Sequence, residues 1–296
     1  MTDDTRLRVG LVGAGPWARR VHAPGIAAHP DTELVAVWAR RQEAAAEVAE
    51  ANGATPVGSF DDLLSTVDAV AFAVPPAVQA PLALRALRAG RHTILEKPVA
   101  PDAAAAQELV AAAEASGAAT LLMLSFRYAA STAAWLDEVR RLGGWRGGAA
   151  RWLSGTLLEA KYADSAWRHA GGALADIGPH VFDMLDAALG TITDVLTVHY
   201  AEPDLWQIVF GHDGGQLSTA TLSMHIPMTP SITDFALFGA HGYQEFDATG
   251  SPNERYAALL TDFTSMITTG GTSHPCDVRR GLHLQRLIDE VTRKAT

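Results

Sequence analysis

The chain has 296 residues, 48% of them hydrophobic, enough to bury the core of one large domain or two ordinary ones. Its formal net charge of −10, with acids and bases interspersed, argues against a nucleic-acid partner, which needs a basic stripe. A single cysteine, Cys276, excludes an intrachain disulfide and fits a reducing, cytoplasmic compartment, and the most apolar stretch, 69–78, is broken by Pro75 and Pro76 well short of the roughly 20 residues a membrane span needs.

Asp3 and Asp4 stand where a secretory leader would carry positive charge, so no cleaved leader is expected. Up to residue 126, β-branched runs at 8–12, 34–38, 55–57, 69–74, 92–95 and 119–124 alternate with alanine-rich helical stretches at 20–28, 42–52, 61–64, 79–89 and 102–115. That alternation predicts an α/β domain over 1–126, a doubly wound Rossmann-type parallel sheet with helices on both faces. From 127 onward the pattern changes. A helix at 132–141 leads to a strand at 148–156, a glycine-rich insertion with a helix around His180, and strands at 194–200, 205–211, 215–225, 231–239 and 243–246. Strands in succession predict a large, mostly antiparallel sheet, so the second domain, 127–296, is α+β, closed by helices at 256–268 and 278–294.

The first strand runs into Gly13-Ala14-Gly15-Pro16-Trp17-Ala18, the G-x-G-x-x-A form of the dinucleotide fingerprint. Gly13 permits the tight turn, Gly15 lets backbone approach a pyrophosphate, and Ala18 lets the following helix pack closely; Pro16 is tolerated where its missing donor would go unused. Where NAD enzymes place an acid after the second strand, this chain has Ala39-Arg40-Arg41, which favours NADP while leaving NAD open. Val74 and Pro75, after the fourth strand, and Glu96 and Lys97, after the fifth, complete the candidate cofactor contacts.

The segment His92-Thr93-Ile94-Leu95-Glu96-Lys97-Pro98 closely resembles the glucose-fructose oxidoreductase and inositol dehydrogenase family, Gfo/Idh/MocA, whose members carry Glu-Lys-Pro after this strand. The run from Ala170 to His180, with Asp176 and His180 four residues apart, is similar to that family's second-domain motif, and Trp167-Arg168, Phe126-Arg127-Tyr128, Tyr256, Phe263 and Asp277 agree with it. The resemblance implies a cis Lys97–Pro98 peptide, an open sheet in the second domain that pairs with another subunit as a homodimer or homotetramer, and hydride transfer on a polyol, sugar or ketone.

The chemistry is also arguable from the residues. Oxidising a carbinol requires a group to take the hydroxyl proton as hydride leaves carbon for the nicotinamide. Lys97, at a strand's C-terminal end, is placed to hold the substrate oxygen. His180 is the candidate proton acceptor, with Asp176, on the same face if the segment is helical, as its orienting partner or a further substrate ligand. A helix-capping role for Asp176 is the bland alternative. Arg127, Lys161, Trp167, Arg168 and His169 are weaker candidates for substrate contact, and the scattered histidines predict no metal site. Pro76 and Gln79 depart from the asparagine and histidine frequent in the family at these places. The competing functions are a non-catalytic NADP-binding regulator of the same fold, an imine or ketone reductase of secondary metabolism, and a methyltransferase using S-adenosylmethionine, which the Glu96-Lys97-Pro98 motif speaks against.

Overall fold

The computed structural model describes residues 6–159, 165–246 and 249–295. The chain forms two compact units, one of residues 1–128 with 250–283 and the other of 129–249 with 284–296.

In the first unit, β1 (Leu7–Val12), β2 (Thr32–Trp38), β3 (Thr55–Pro56), β4 (Ala69–Phe72), β5 (His92–Leu95) and β6 (Thr120–Leu122) form one parallel sheet in the order β3-β2-β1-β4-β5-β6. The doubly wound expectation holds. The central strands are covered on both faces, so they read as continuous apolar runs: Val9, Leu11, Val12, Val70 and Phe72 are fully buried, each contributing about 1.5–3 kcal/mol. Between strands run α1 (Ala23–Ala28), α2 (Gln42–Ala51), α3 (Phe60–Thr66), α4 (Pro76–Arg88) and α5 (Ala103–Ser116). Side-chain caps start two of them: Ser59 accepts from the Asp62 N–H at 3.1 Å, and Asp102 from the Ala105 N–H at 2.8 Å. The helical run before α1 begins at Pro16, four residues earlier than the sequence pattern suggests, and passes through a π-helical turn, Ala18–His22.

The second unit contains α6 (Ala130–Leu142), β7 (Trp145–Leu153), α7 (Ala166–Asp176), α8 (Gly178–Leu189), β8 (Ile192–Ala201), β9 (Leu205–His212), β10 (Leu217–Ser223), β11 (Ile232–Gly239) and β12 (Gly242–Phe246). Its sheet runs β12-β11-β7-β10-β9-β8, and only the β7–β10 pair is parallel. One face packs on helices, with Val139, Trp145, Leu189 and Leu237 in one cluster and the Phe182 and Phe210 rings 4.9 Å apart. The other face exposes a register row crossing every strand: Tyr243 opposite Phe238, Phe238 opposite Gly147, Gly147 opposite Leu217, Leu217 opposite Gly211, and Leu196 beside Gly211. Tyr243, Phe238, Leu217 and Leu196 are each 45–64% exposed.

Three expectations shift. β7 starts three residues before the expected 148, because Gly147 and Gly148 weaken a strand pattern yet here admit close neighbours: a Cβ on Gly147 would sit 2.5 Å from the Leu217 carbonyl. α7 forms where the sequence predicts only a glycine-rich insertion. The third concerns the chain's end: α9 (Pro252–Thr269), expected in the second domain, belongs to the first unit, where its Tyr256, Leu259, Leu260 and Phe263 are fully buried. Periodicity identifies an apolar face, not the surface that face will cover. α10 (Val278–Ala295) gives its first turns to the first unit and the rest to the second.

Candidate functional site

In the first unit the fingerprint occupies the C-terminal end of β1, beside the switch in strand order between β1 and β4, where open α/β sheets bind ligands. Gly13 has φ +120°, and a Cβ there would lie 2.4 Å from the Ala73 carbonyl, so no other residue fits. A Cβ on Gly15 would meet nothing within 4 Å, so the chain leaves open space on the side where a pyrophosphate needs backbone contact. Ala18 is fully buried, Trp17 half-buried and Pro16 exposed. Arg19 locks the loop from outside, donating to the Ala14 carbonyl at 3.1 Å and to Glu47 at 2.7 Å. After β2, Ala39 is buried, while Arg40 and Arg41 are exposed and pair with no acid among the described residues. These features fit a dinucleotide with a 2′-phosphate.

Across the switch, Val74 and Pro75 follow β4, and β5 leads into Glu96 and Lys97, both half-buried, with a cis Lys97–Pro98 peptide as the resemblance implies. His22, fully buried on the first helical run, meets Glu96 Oε1 through Nε2 at 2.8 Å. The His22 ring lies 4.6 Å from Tyr256, which fills the space over Gly25. Burial first, then the Glu96 charge, pushes the Tyr256 hydroxyl well above the ordinary phenol range, so it stays neutral. Gln79 is also fully buried, its amide turned toward the Glu96–Val99 backbone. Arg127 stands half-buried in a short 3₁₀ turn, Ser125–Tyr128.

The second unit holds Asp176 and His180, and their simple i, i+4 relation is corrected. Asp176 is the last residue of α7 and His180 the third of α8, with the helices broken at Ile177 (φ −110°, ψ −22°). Ile177 occupies the cap position of α8, and the Asp176 carboxylate instead accepts from Arg168 Nε at 2.9 Å. The Arg168 guanidinium stacks 4.5 Å over the half-buried Trp167 ring, so these two expected substrate contacts form one assembly with Asp176. His180 is 7% exposed, and its ring lies 5.8 Å from Trp152 of β7. His169 is exposed, and Lys161 lies outside the described residues. Among the described residues no three His, Cys, Asp or Glu side chains cluster as metal ligands.

Residues 7–124 match the GFO_IDH_MocA model, described as an oxidoreductase family with an NAD-binding Rossmann fold. Over those residues the chain is similar to the Gfo/Idh/MocA oxidoreductases. Among curated relatives, the dTDP-3,4-didehydro-2,6-dideoxy-alpha-D-glucose 3-reductase of Streptomyces violaceoruber is 35% identical over 192 residues, covering 62% of this chain and 55% of that protein. Matches to enzymes of the same name from Actinomadura kijaniata and Streptomyces antibioticus cover 37% and 35% of those proteins. The chain thus spans about half or less of these relatives' length. Among solved structures, a putative myo-inositol dehydrogenase from Sinorhizobium meliloti superposes with TM-score 0.83 at 22% identity, covering 98% of this chain and 97% of that one. The 3-ketoreductase KijD10 of Actinomadura kijaniata, in complex with NADP and TDP-benzene, gives 0.83 at 22% identity, covering 98% of each. At these identities the likeness establishes the fold.

Three residues of these sites carry no signal in the sequence pattern. His22 was hidden as one more position on a helix, and Gln79 showed only as a departure from the family. Asp204 gave no signal, since it follows Pro203 in what reads as an ordinary turn. It is 3% exposed, and its carboxylate accepts from the N–H groups of Ala173 and Met224 and from Trp206 Nε1, at 2.9–3.1 Å, with His225 Nδ1 at 3.3 Å. It thereby pins the kink at Gly172 (φ +55°, ψ −154°), where a Cβ would lie 2.3 Å from Asp204 Oδ1.

Proposed function

We propose that the protein is an NAD(P)-dependent dehydrogenase or reductase, preferring NADP, that acts on the carbinol or carbonyl carbon of a sugar, cyclitol or related polyol or ketone. The observation that carries this is the β1 loop, with its forced Gly13 turn and the open space at Gly15, at the switch point of a β3-β2-β1-β4-β5-β6 sheet. Strand order gives the dinucleotide its direction. Ala39, Arg40 and Arg41 after β2 take the adenosine end and its 2′-phosphate, Gly13 to Ala18 take the pyrophosphate, and Val74, Pro75, Glu96 and Lys97 take the nicotinamide end.

When bound, the nicotinamide accepts or supplies the hydride. The Lys97 ammonium holds the substrate oxygen and stabilises negative charge developing on it. His180 takes the hydroxyl proton in the oxidative direction and returns it in the reductive one. Asp176, Arg168, Trp167 and Arg127 contact the substrate, the Arg168–Asp176 pair offering a donor and an acceptor to hydroxyls. The names of the Streptomyces and Actinomadura relatives support a sugar-derived carbonyl as substrate.

The apolar register row across the second sheet supports a homodimer or homotetramer, since exposed aromatic and aliphatic side chains aligned across six strands favour burial against another copy. The lone, buried Cys276 suits the cytoplasm, and no described helix is long and apolar enough to cross a membrane.

The test is a titration with NADPH and with NADH, followed by a screen of sugars, cyclitols and keto-sugars monitored by nicotinamide absorbance. Tighter NADPH binding with turnover on any of them is the expected result. Binding without turnover across a broad screen would favour the regulator, and absence of binding would overturn the proposal.

A further inference from the structure

The four residues Glu96 to Val99 are held from behind by a side chain that behaves like a strip of backbone. Beyond the last residue of β5, the Gln79 amide continues the hydrogen-bonding: its Oε1 accepts the Glu96 N–H at 2.8 Å, and its Nε2 donates to the carbonyls of Glu96 at 2.8 Å and Val99 at 3.0 Å. Those bonds use both amide hydrogens and the amide oxygen, with the Pro98 carbonyl a longer third neighbour of Nε2 at 3.4 Å. Both peptide groups of residue 96 and the carbonyl of residue 99 are therefore tied to one fully buried side chain, with Lys97 between the ties. A second buried side chain, His22, holds the Glu96 carboxylate itself at 2.8 Å, its ring braced against Tyr256. Two buried polar side chains thus converge on one short turn. Each costs desolvation that only well-made bonds offset, and all of their bonds to the turn fix the residues assigned to the nicotinamide end.

We infer that Gln79 and His22 are positioning residues of the nicotinamide end of the site: Gln79 fixes the backbone that carries Lys97, and His22 fixes the Glu96 carboxylate. The inference rests on the dinucleotide reading above. It also gives physical content to the departure at 79, since the amide accepts one bond and donates two, whereas a neutral imidazole has only one donor and one acceptor.

The test compares two ligands on the intact protein. NADPH occupies the whole crevice, whereas adenosine 2′,5′-bisphosphate lacks the nicotinamide and its ribose. Gln79→Met, close in shape but unable to donate, is expected to weaken NADPH by about tenfold, equivalent to one or two net hydrogen bonds, and to leave the bisphosphate within about twofold. His22→Phe keeps the ring contact with Tyr256 and loses only the bond to Glu96. It is expected to act in the same direction, and it carries the test should Gln79→Met fail to fold. Equal weakening of both ligands, or of neither, overturns the inference by reducing the two residues to general packing. If the parent protein binds neither ligand, the dinucleotide reading itself has failed, an outcome distinct from a parent that binds both and variants that do not discriminate.

Discussion

The two units hold their charged residues in place by opposite means. In the first, a neutral amide, Gln79, grips the backbone of a turn so that Glu96 and Lys97 are presented without the gripping group carrying charge. In the second, an ionisable group, Asp204, gathers donors from three separate stretches at the Gly172 kink, upstream of Asp176. A neutral frame is cheaper to bury and indifferent to pH. A carboxylate frame makes stronger charge-assisted bonds, and several N–H groups lose their partner together when it is removed. The lesson is that presented charges in the first unit should be separable from its stability, whereas in the second unit frame and fold are one.

The largest effect tests the first half of that contrast. Lys97→Met should cut turnover by roughly 10²–10⁴-fold, the range for loss of a positioned proton-handling or charge-stabilising group, with NADPH affinity changed far less than turnover and the thermal midpoint nearly unchanged. A variant with near-normal turnover in steady-state assays, or one that melts early, would break the separation. Next comes the second half. Asp204→Ala strands the donors of Ala173, Met224 and Trp206 in a buried place, at a cost of about 3 kcal/mol or more. Urea unfolding followed by tryptophan fluorescence, to which Trp206 reports directly, should register it, and a loss under about 1 kcal/mol would show that the kink is held by packing instead.

Much of this was legible in sequence because the first unit repeats one local rule. Alternating apolar runs and alanine-rich helices gave the parallel sheet, and the Gly13 to Ala18 motif gave the loop with its forced turn. In the second unit the successive strands were legible as antiparallel, but the parallel β7–β10 pair was not, since nothing local in either strand encodes the identity of its neighbour. Periodicity marks α9 as a helix without saying which unit it covers, for the same reason. Asp176 and His180 were found by their motif, but their spacing alone could not reveal the break at Ile177 or the Arg168 partner. His22, Gln79 and Asp204 act on groups distant in sequence, a relation that composition and periodicity cannot carry.

Two smaller effects sharpen the contrast at the surfaces. Replacing both Arg40 and Arg41 by alanine should weaken NADPH by about tenfold or more, leave NADH nearly unaffected, and cost no stability, because both side chains are exposed. Equal loss for the two nucleotides in a fluorescence titration would remove the 2′-phosphate assignment. On the second unit, Leu217→Lys with Phe238→Lys puts two charges in the apolar row and should shift sedimentation toward the monomer without unfolding the sheet. An unchanged sedimentation coefficient would place the subunit contact elsewhere, or nowhere.

The smallest expected effect concerns pH, where a first-unit carboxylate behaves unlike the Gln79 frame. Asp68, just before β4, accepts from the backbone N–H of Arg8 and from its Nε and guanidinium nitrogen, all at 3.2 Å. Burial raises its pKa, but the Arg8 hydrogen bonds and charge, aided by Arg91, outweigh that and leave it below the ordinary carboxylate value. A carboxyl group depressed in the folded state binds its proton less readily than in the unfolded chain. Its stabilisation is therefore complete above the unfolded value, about 3.9, and is lost as pH falls through the lower folded value. Both side chains are about half exposed, so solvent and salt screen the pair and the contribution is small beside that of Asp204. Asp68→Asn should lower the midpoint of unfolding slightly and equally from neutral pH to about pH 5, with the gap to the parent closing below about pH 4. A gap that persists undiminished at the acid end would mean that Arg8 and Asp68 join β1 to β4 by shape and neutral hydrogen bonds, as Gln79 does at the opposite end of the same sheet, and not by charge.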